Sequence, residues 1–300
     1  MPVSSDLLDL ADRQDYPSGA LYIVATPIGN LADITVRALH VLTLCDRIAA
    51  EDTRTSSQML GRYGIAKPML AAHEHNEHEA AQRIVSCLQA GERVAYISDA
   101  GTPGLSDPGA RLCEAVRAAG FRAIPLPGAS ALLGALSVAG PWASPFTFIG
   151  FLPAKPRQRQ AALDALAQDR EALVFYEAPH RVLATLDALR QAFGTTRRVL
   201  VARELTKLHE TVIAGTLEAA PGQLAGEAPR GEYVLVVEGA PETVPGGVEQ
   251  HDALLRALLA EIPVSGAARV AARLTGATRD ALYARALALA DDAGNKASDD

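Results

Sequence analysis

Between residues 98 and 110 the chain reads SDAGTPGLSDPGA, thirteen positions holding three glycines, two prolines and two aspartates. That is more glycine than reversing a chain requires. Glycine lets backbone amides and carbonyls approach a ligand directly, and Asp99 offers a carboxylate to an ammonium or a ribose hydroxyl. Two further loops share this small-residue character: TPIGNLADIT (26–35), where Pro27 and Gly29 read equally as a ligand loop or a plain turn, and LPGASAL (126–132), where Ser130 offers a hydroxyl at a helix start. The three-glycine dinucleotide fingerprint and the phosphate loop ending in Gly-Lys-Ser/Thr are both missing, so nicotinamide and nucleoside-triphosphate chemistry lose ground. AHEHNEH (72–78) invites a metal reading through His73, His75 and His78, but the offsets fit no helical ligand pair and no cysteine assists, so no metal is expected. A basic run, LPAKPRQRQ (152–160), carries Lys155, Arg157 and Arg159 without an acid and could meet phosphate as well as solvent.

The elements that must position these loops alternate regularly. LYIVA (21–25), DRIAAED (46–52), ERVAYIS (92–98) and FRAIPL (121–126) read as strands. Helices are expected over 34–44, 53–62, from Asn76 with Glu79 completing a capping box, and from Asp107-Pro108 to Gly120. This beat predicts a parallel sheet covered on both faces, with the small-residue loops at its ligand-binding edge. Beyond it come TFIGFLP (147–153), a helix near 157–168, ALVFYE (172–177) and a helix from His180 to Phe193. RRVLVARE, HETVIAGTL and EYVLVVEG then follow with little helix between them, which predicts a mixed sheet with antiparallel pairs.

The fold class expected is therefore α/β: a parallel-sheet lobe, a mixed-sheet lobe and a small helical domain. The boundaries read as a flexible acidic leader (1–18), lobes at 19–128 and 129–240, a Pro/Gly-rich linker (241–250), helices over 251–292 carrying Arg269, Arg273, Arg279 and Arg285, and a frayed tail (293–300). A net charge of −7 does not announce a nucleic-acid binder. Cys45, Cys87 and Cys113 are odd in number and far apart, which suits buried thiols in a reducing compartment rather than disulfides. No apolar run approaches the length that crosses a bilayer, and the aspartate-rich start does not read as a signal sequence, so a cytoplasmic, non-membrane protein is expected.

TPIGNLADIT, EDTR (51–54), SDAGTPGLSDPG, PGAS, FYEAPHR (175–181), ARELTKLHE (202–210) and RGEYVLVVEG (230–239) together resemble the tetrapyrrole methylase superfamily. They are most similar to its branch that methylates a cytidine 2′-oxygen in 16S ribosomal RNA. The resemblance implies S-adenosylmethionine as methyl donor, bound in the cleft between two lobes, a homodimer, and the small ribosomal subunit as partner. On the family pattern, Pro27, Ala100, Gly101, Thr102, Ser130, Ala131, Tyr176 or Glu177, Ala202 and Tyr233 fall at cofactor positions, and Asp99 joins them as a cofactor candidate from its own loop. Thr102 departs from the family's Gly-Gly-Asp segment.

A sulfonium methyl is already activated, so the enzyme must chiefly align oxygen, carbon and sulfur. A ribose hydroxyl still needs a proton acceptor or a cation beside its developing charge. Asp52 and Arg54, Asp99, and Lys207 with Glu204 are the unranked candidates. Lys155, Arg157, Arg159 and Arg181 are the expected RNA contacts. A corrin or porphyrin-precursor methyltransferase and a non-catalytic ribosome-binding module are the competing readings.

Overall fold

The computed structural model describes residues 10–106, 109–224, 231–241 and 248–296. The expected helix start at Asp107-Pro108, the leader before Leu10, the linker core at 242–247 and the tail beyond Lys296 lie outside the described residues. The chain divides into two compact units between Gly239 and Ala240.

The first lobe is a five-stranded parallel sheet, in the order β3 (Met69–Ala71), β2 (Arg47–Ala50), β4 (Val94–Ile97), β1 (Ala20–Val24), β5 (Arg122–Leu126). Alternate strand residues face opposite ways, and both faces are apolar. Tyr22, Ile48 and Ile97 pack with Leu39 and Leu42 of α1 (Val36–Leu44) and Leu60 of α2 (Thr53–Arg62). On the other face Leu21, Ala49 and Tyr96 pack with Ile84 and Leu88 of α3 (Glu77–Gln89) and Leu112 and Val116 of α4 (Ala110–Ala118). This is the two-faced burial that right-handed parallel crossovers require. Ala50 of β2 stands opposite Ile97 of β4 and Ala71 of β3, so these three strands end level with one another.

The second lobe is a mixed sheet in the order β6 (Phe146–Phe151), β7 (Ala172–Glu177), β10 (Tyr233–Val237), β8 (Arg198–Arg203), β9 (Thr211–Thr216). The β6–β7 pair is parallel and the rest are antiparallel. Phe175, Val201 and Leu235 bury one face against α6 (Pro156–Leu166) and α7 (Val182–Phe193). Val174, Ala202 and Val236 bury the other against Leu132, Ala135 and Ala139 of α5 (Ala131–Ala139). Each fully buried large side chain here is worth about 1.5–3 kcal/mol relative to exposure. A short α8 (Ala220–Leu224) follows β9.

The unit after Gly239 holds α9 (Asp252–Leu259), α10 (Val264–Thr275) and α11 (Arg279–Lys296) around Leu255, Ala268, Leu282 and Leu289. Arg285 pairs with both oxygens of Asp252, at 2.8 and 2.6 Å, so its charge serves this small core. No described helix is long and apolar enough to cross a membrane.

Two local expectations change. Asn76 does not cap α3: its side chain accepts from His73 N at 2.8 Å and donates to Ala71 O at 3.1 Å, because a 3-10 turn over Glu74–Asn76 precedes the helix. The first turn of α4 is served by Glu77, whose Oε1 accepts from Gly109 N and Leu112 N. Of the leader expected to be flexible, residues near Tyr16 are docked: Tyr16 is buried in the first lobe's core, donates to Ala11 O and accepts from Arg93 Nε at 2.9 Å. Cys45 is fully buried, and burial pushes its thiol up to about 12, so it acts as a small hydrophobe. Cys87 and Cys113 are only partly buried.

Candidate functional site

The loops at the carboxyl ends of the first sheet and the facing strand ends of the second enclose one cavity of about 460 Å³. That lies within the ordinary range for a small-molecule site. The loop after β4 forms one wall. Gly101 exchanges both backbone hydrogen bonds with Thr26, at 2.9 and 3.0 Å, and sits at φ +80° where a side chain is strained. That pairing fixes the loop after β4 to the loop after β1. Thr102 Oγ1 donates to Ala129 O at 3.1 Å and ties in the third loop.

Asp99, Ala100, Gly101, Thr102, Ser130 and Ala131 all line the cavity, as do Tyr176, Glu177 and Tyr233 from the second lobe. Ser130 Oγ caps α5 by accepting from Leu133 N, and the Tyr176 hydroxyl accepts from Leu132 N at 3.2 Å. The Glu177 carboxylate is engaged within the protein: it accepts from Thr185 Oγ1 at 2.6 Å and Ala178 N at 2.8 Å, and lies 3.1 Å from Arg181 Nε. Pro27 is buried next to the lining residue Ile28, and Ala202 is buried beneath α5; neither lines the cavity.

The proposed reactive groups separate. Asp52 and Arg54 lie outside the cavity lining. Asp52 caps α2 by accepting from Arg54 N at 2.8 Å and Thr55 N at 3.4 Å, and that first bond holds its carboxyl below the usual range. Arg54 is exposed, 3.4 Å from Asp52. Lys207 Nζ lies 2.8 Å from Glu204 Oε1 and 3.2 Å from Glu232 Oε2. Burial lowers the Lys207 ammonium, and the bond to Glu204 with the charge of Glu232 outweighs it, so its net shift is upward. The turn carrying it holds two non-glycine residues at positive φ, Glu204 at +52° and Thr206 at +68°.

Of the residues expected at RNA, Lys155 and Arg157 are exposed at the start of α6. Arg159 is buried in the same helix, and Arg181 donates to Leu152 O at 2.7 Å while pairing with Glu177. Both are occupied in building the second lobe. Among the described residues no group of three or more His, Cys, Asp or Glu is placed to hold a metal; the His73 and His75 rings stand 6.1 Å apart.

Several lining residues escaped the sequence reading. Glu51 follows β2 directly, and its carboxyl is pushed up first by burial and then by the charge of Asp99. Its position just past the end of a parallel strand is the signal that could have found it. Phe151 lines the mouth 56% exposed, edge-on to Tyr176 at 5.7 Å.

Two facing α/β lobes with a cavity between their strand ends define a class, and the profile described as Tetrapyrrole (Corrin/Porphyrin) Methylases matches residues 20–221. Solved structures agree in fold: the methyltransferase CobJ (TM-score 0.56, 24% identity, 74% of this chain and 95% of that one) and uroporphyrin-III-C-methyltransferase from Thermus thermophilus (0.53, 23%, 73% and 94%). Residues 245–290 match the profile described as the RsmI C-terminal HTH domain. Proteins named Ribosomal RNA small subunit methyltransferase I are much more similar in sequence. That of Xylella fastidiosa (strain Temecula1) is 48% identical over 88% of this chain and 98% of its own length, and that of Pseudomonas aeruginosa 46% over 90% and 97%. The chain belongs to the tetrapyrrole methylase family and, within it, to the ribosomal RNA small subunit methyltransferase I group.

Proposed function

We propose that this protein transfers the methyl group of S-adenosylmethionine to the 2′-oxygen of a cytidine in small-subunit ribosomal RNA. Near-full-length identity of 45–48% to relatives named for methylating that RNA carries the reading. The corrin and porphyrin alternative has weaker support, because those structures share the fold at 24% identity or less.

The chemistry of the cavity suits the donor. Asp99 supplies negative charge for a cationic ligand, while Ile28, Leu105 and Leu205 supply apolar wall. Ala100, Gly101, Thr102, Ser130, Ala131, Tyr176 and Tyr233 would hold it, with Pro27 and Ala202 shaping the walls from behind. When bound, the donor supplies a methyl group already activated by a sulfonium centre. The lobes exclude water and restrict the approach of the attacking oxygen, an alignment worth several kcal/mol. Lys155 and Arg157 are proposed phosphate contacts at the surface. The reading includes a homodimer, tested by light scattering, and a cytoplasmic setting.

The test pairs calorimetry with methylation of isolated small subunits lacking the modification. Expected are saturable donor binding and one methyl group per subunit at a cytidine 2′-oxygen, with Gly101→Val losing donor affinity. No binding at millimolar donor would defeat the enzymatic reading and favour a ribosome-binding module.

A further inference from the structure

We propose that Glu51 accepts the proton of the attacking ribose hydroxyl, with Asp99 and His73 as positioning residues. This rests on the methyl-transfer reading above.

The placement follows from the sheet. Because β2, β3 and β4 end level, with Ala50 opposite both Ala71 and Ile97, the residues just beyond them gather at one edge: Glu51 after β2, His73 after β3 and Asp99 after β4. Glu51 and Asp99 both line the cavity. The Asp99 N–H acts on the Glu51 carboxylate, and the Asp99 side chain accepts the Asp52 backbone N–H at 3.1 Å. The second bond ties the segment after β4 to the residue next to Glu51. His73 is held by its own N–H on Asn76 Oδ1, and its Nδ1 is buried with no hydrogen-bond partner among the described residues.

The groups acting on Glu51 are burial, then Asp99, His73 and Asp52. Burial and the two aspartates favour its neutral form, whereas the Asp99 N–H and His73 favour the anion; the net shift is upward. A carboxylate with raised affinity for a proton is the better general base. Asp52 is the poorer choice, since its carboxyl is committed to capping α2 and shifted downward.

The step balances. As the 2′-oxygen bonds to the methyl carbon, the carbon–sulfur bond breaks and sulfur keeps the electron pair. Glu51 takes the hydroxyl proton on a carboxylate oxygen. A sulfonium cation and a carboxylate anion thereby become a neutral thioether and a neutral acid, which returns its proton to water.

Glu51→Gln keeps an oxygen for the Asp99 N–H and removes the base. Expected is a fall in kcat of about 100-fold or more on isolated subunits, with subunit KM and donor affinity by calorimetry within about twofold, and loss of the acid limb of the pH–rate profile. A second readout needs no donor. A raised carboxyl pKa means stability that is present below about pH 4 and lost as pH rises through the folded value. Ligand-free Glu51→Gln is therefore expected to melt higher than the parent at neutral pH, and the gap to close in acid. A kcat within threefold of the parent, a surviving acid limb, or a loss of donor affinity in place of kcat would overturn the proposal. A parent that neither binds donor nor methylates subunits would defeat the functional reading instead, while the melting comparison still reports whether Glu51 is a partly buried carboxylate with a raised proton affinity.

Discussion

The side chain of Lys207 lies against the backbone of Gly29, so that a Cβ at position 29 would collide with Lys207 Cγ. The contact joins the loop after β1 to the turn after β8, and beside it Asn30 N donates to Thr206 Oγ1 at 3.2 Å. The two lobes are thus clasped where the cavity needs them close. Gly29→Ala is expected to push the lysine off its carboxylate partners and cost about 1–2 kcal/mol. In a Lys207→Ala background the same change should cost less, so a urea-unfolding double-mutant cycle should show coupling. Additive costs would mean that the collision is not the cause.

Asp52 is expected to matter for stability. Asp52→Ala removes the acceptor for two N–H groups at the start of α2, whereas Asp52→Asn keeps one, so alanine should lower the melting temperature at pH 7 more than asparagine. Its carboxyl is shifted downward, so its contribution is present above the ordinary carboxylate range and disappears as pH falls through the lower folded value. The gap between parent and Asp52→Ala should narrow toward about pH 3. A gap that does not narrow would exclude the ionised carboxylate as the cap.

The basic run of α6 divides into two roles. Lys155→Glu with Arg157→Glu is expected to raise the KM for subunits and leave donor affinity unchanged, because both side chains are at the surface. Arg159→Glu, at a residue only 7% exposed, should cost about 3 kcal/mol or more of folding stability. Equal kinetic effects from all three sites, with stability intact, would contradict this division.

Phe151 presents more than half of its surface at the cavity mouth and touches Tyr176 edge-on. A nucleotide whose ribose reaches the cavity must leave its stack, and an exposed ring there offers its base a replacement worth about 1–3 kcal/mol. Phe151→Ala is expected to raise subunit KM about tenfold and to change stability by less than about 0.5 kcal/mol. An unchanged KM would remove the stacking role.

Much of this architecture was legible because local signals agreed with global ones. The helix at Thr53–Arg62 and the strand at Ala172–Glu177 fall at the bounds the sequence pattern predicts, the strand being rich in apolar and aromatic residues. Asn76 misled because a capping box specifies spacing but not which backbone groups compete; the His73 N–H and Ala71 O won its side chain. Arg159 misled because a basic run does not say which side of the helix faces the sheet: Arg157 and Arg159 stand about 200° apart around α6, and Arg159 is on the buried side. Glu51 was hidden by its neighbours. In EDTR, Asp52 and Arg54 form an evident charge pair, while the group that reaches the cavity is fixed by how three strands end, which is a property of the register.

The cavity walls are drawn from residues as far apart as Ile28 and Val234, and β10 is inserted between β7 and β8. During translation, the hairpin of β8 and β9 therefore has no partner edge on β7 until the tenth strand has left the exit tunnel. A chain that stops before it lacks Tyr233 and Val234 from the cavity lining. The lining is complete only when that one strand has joined the sheet.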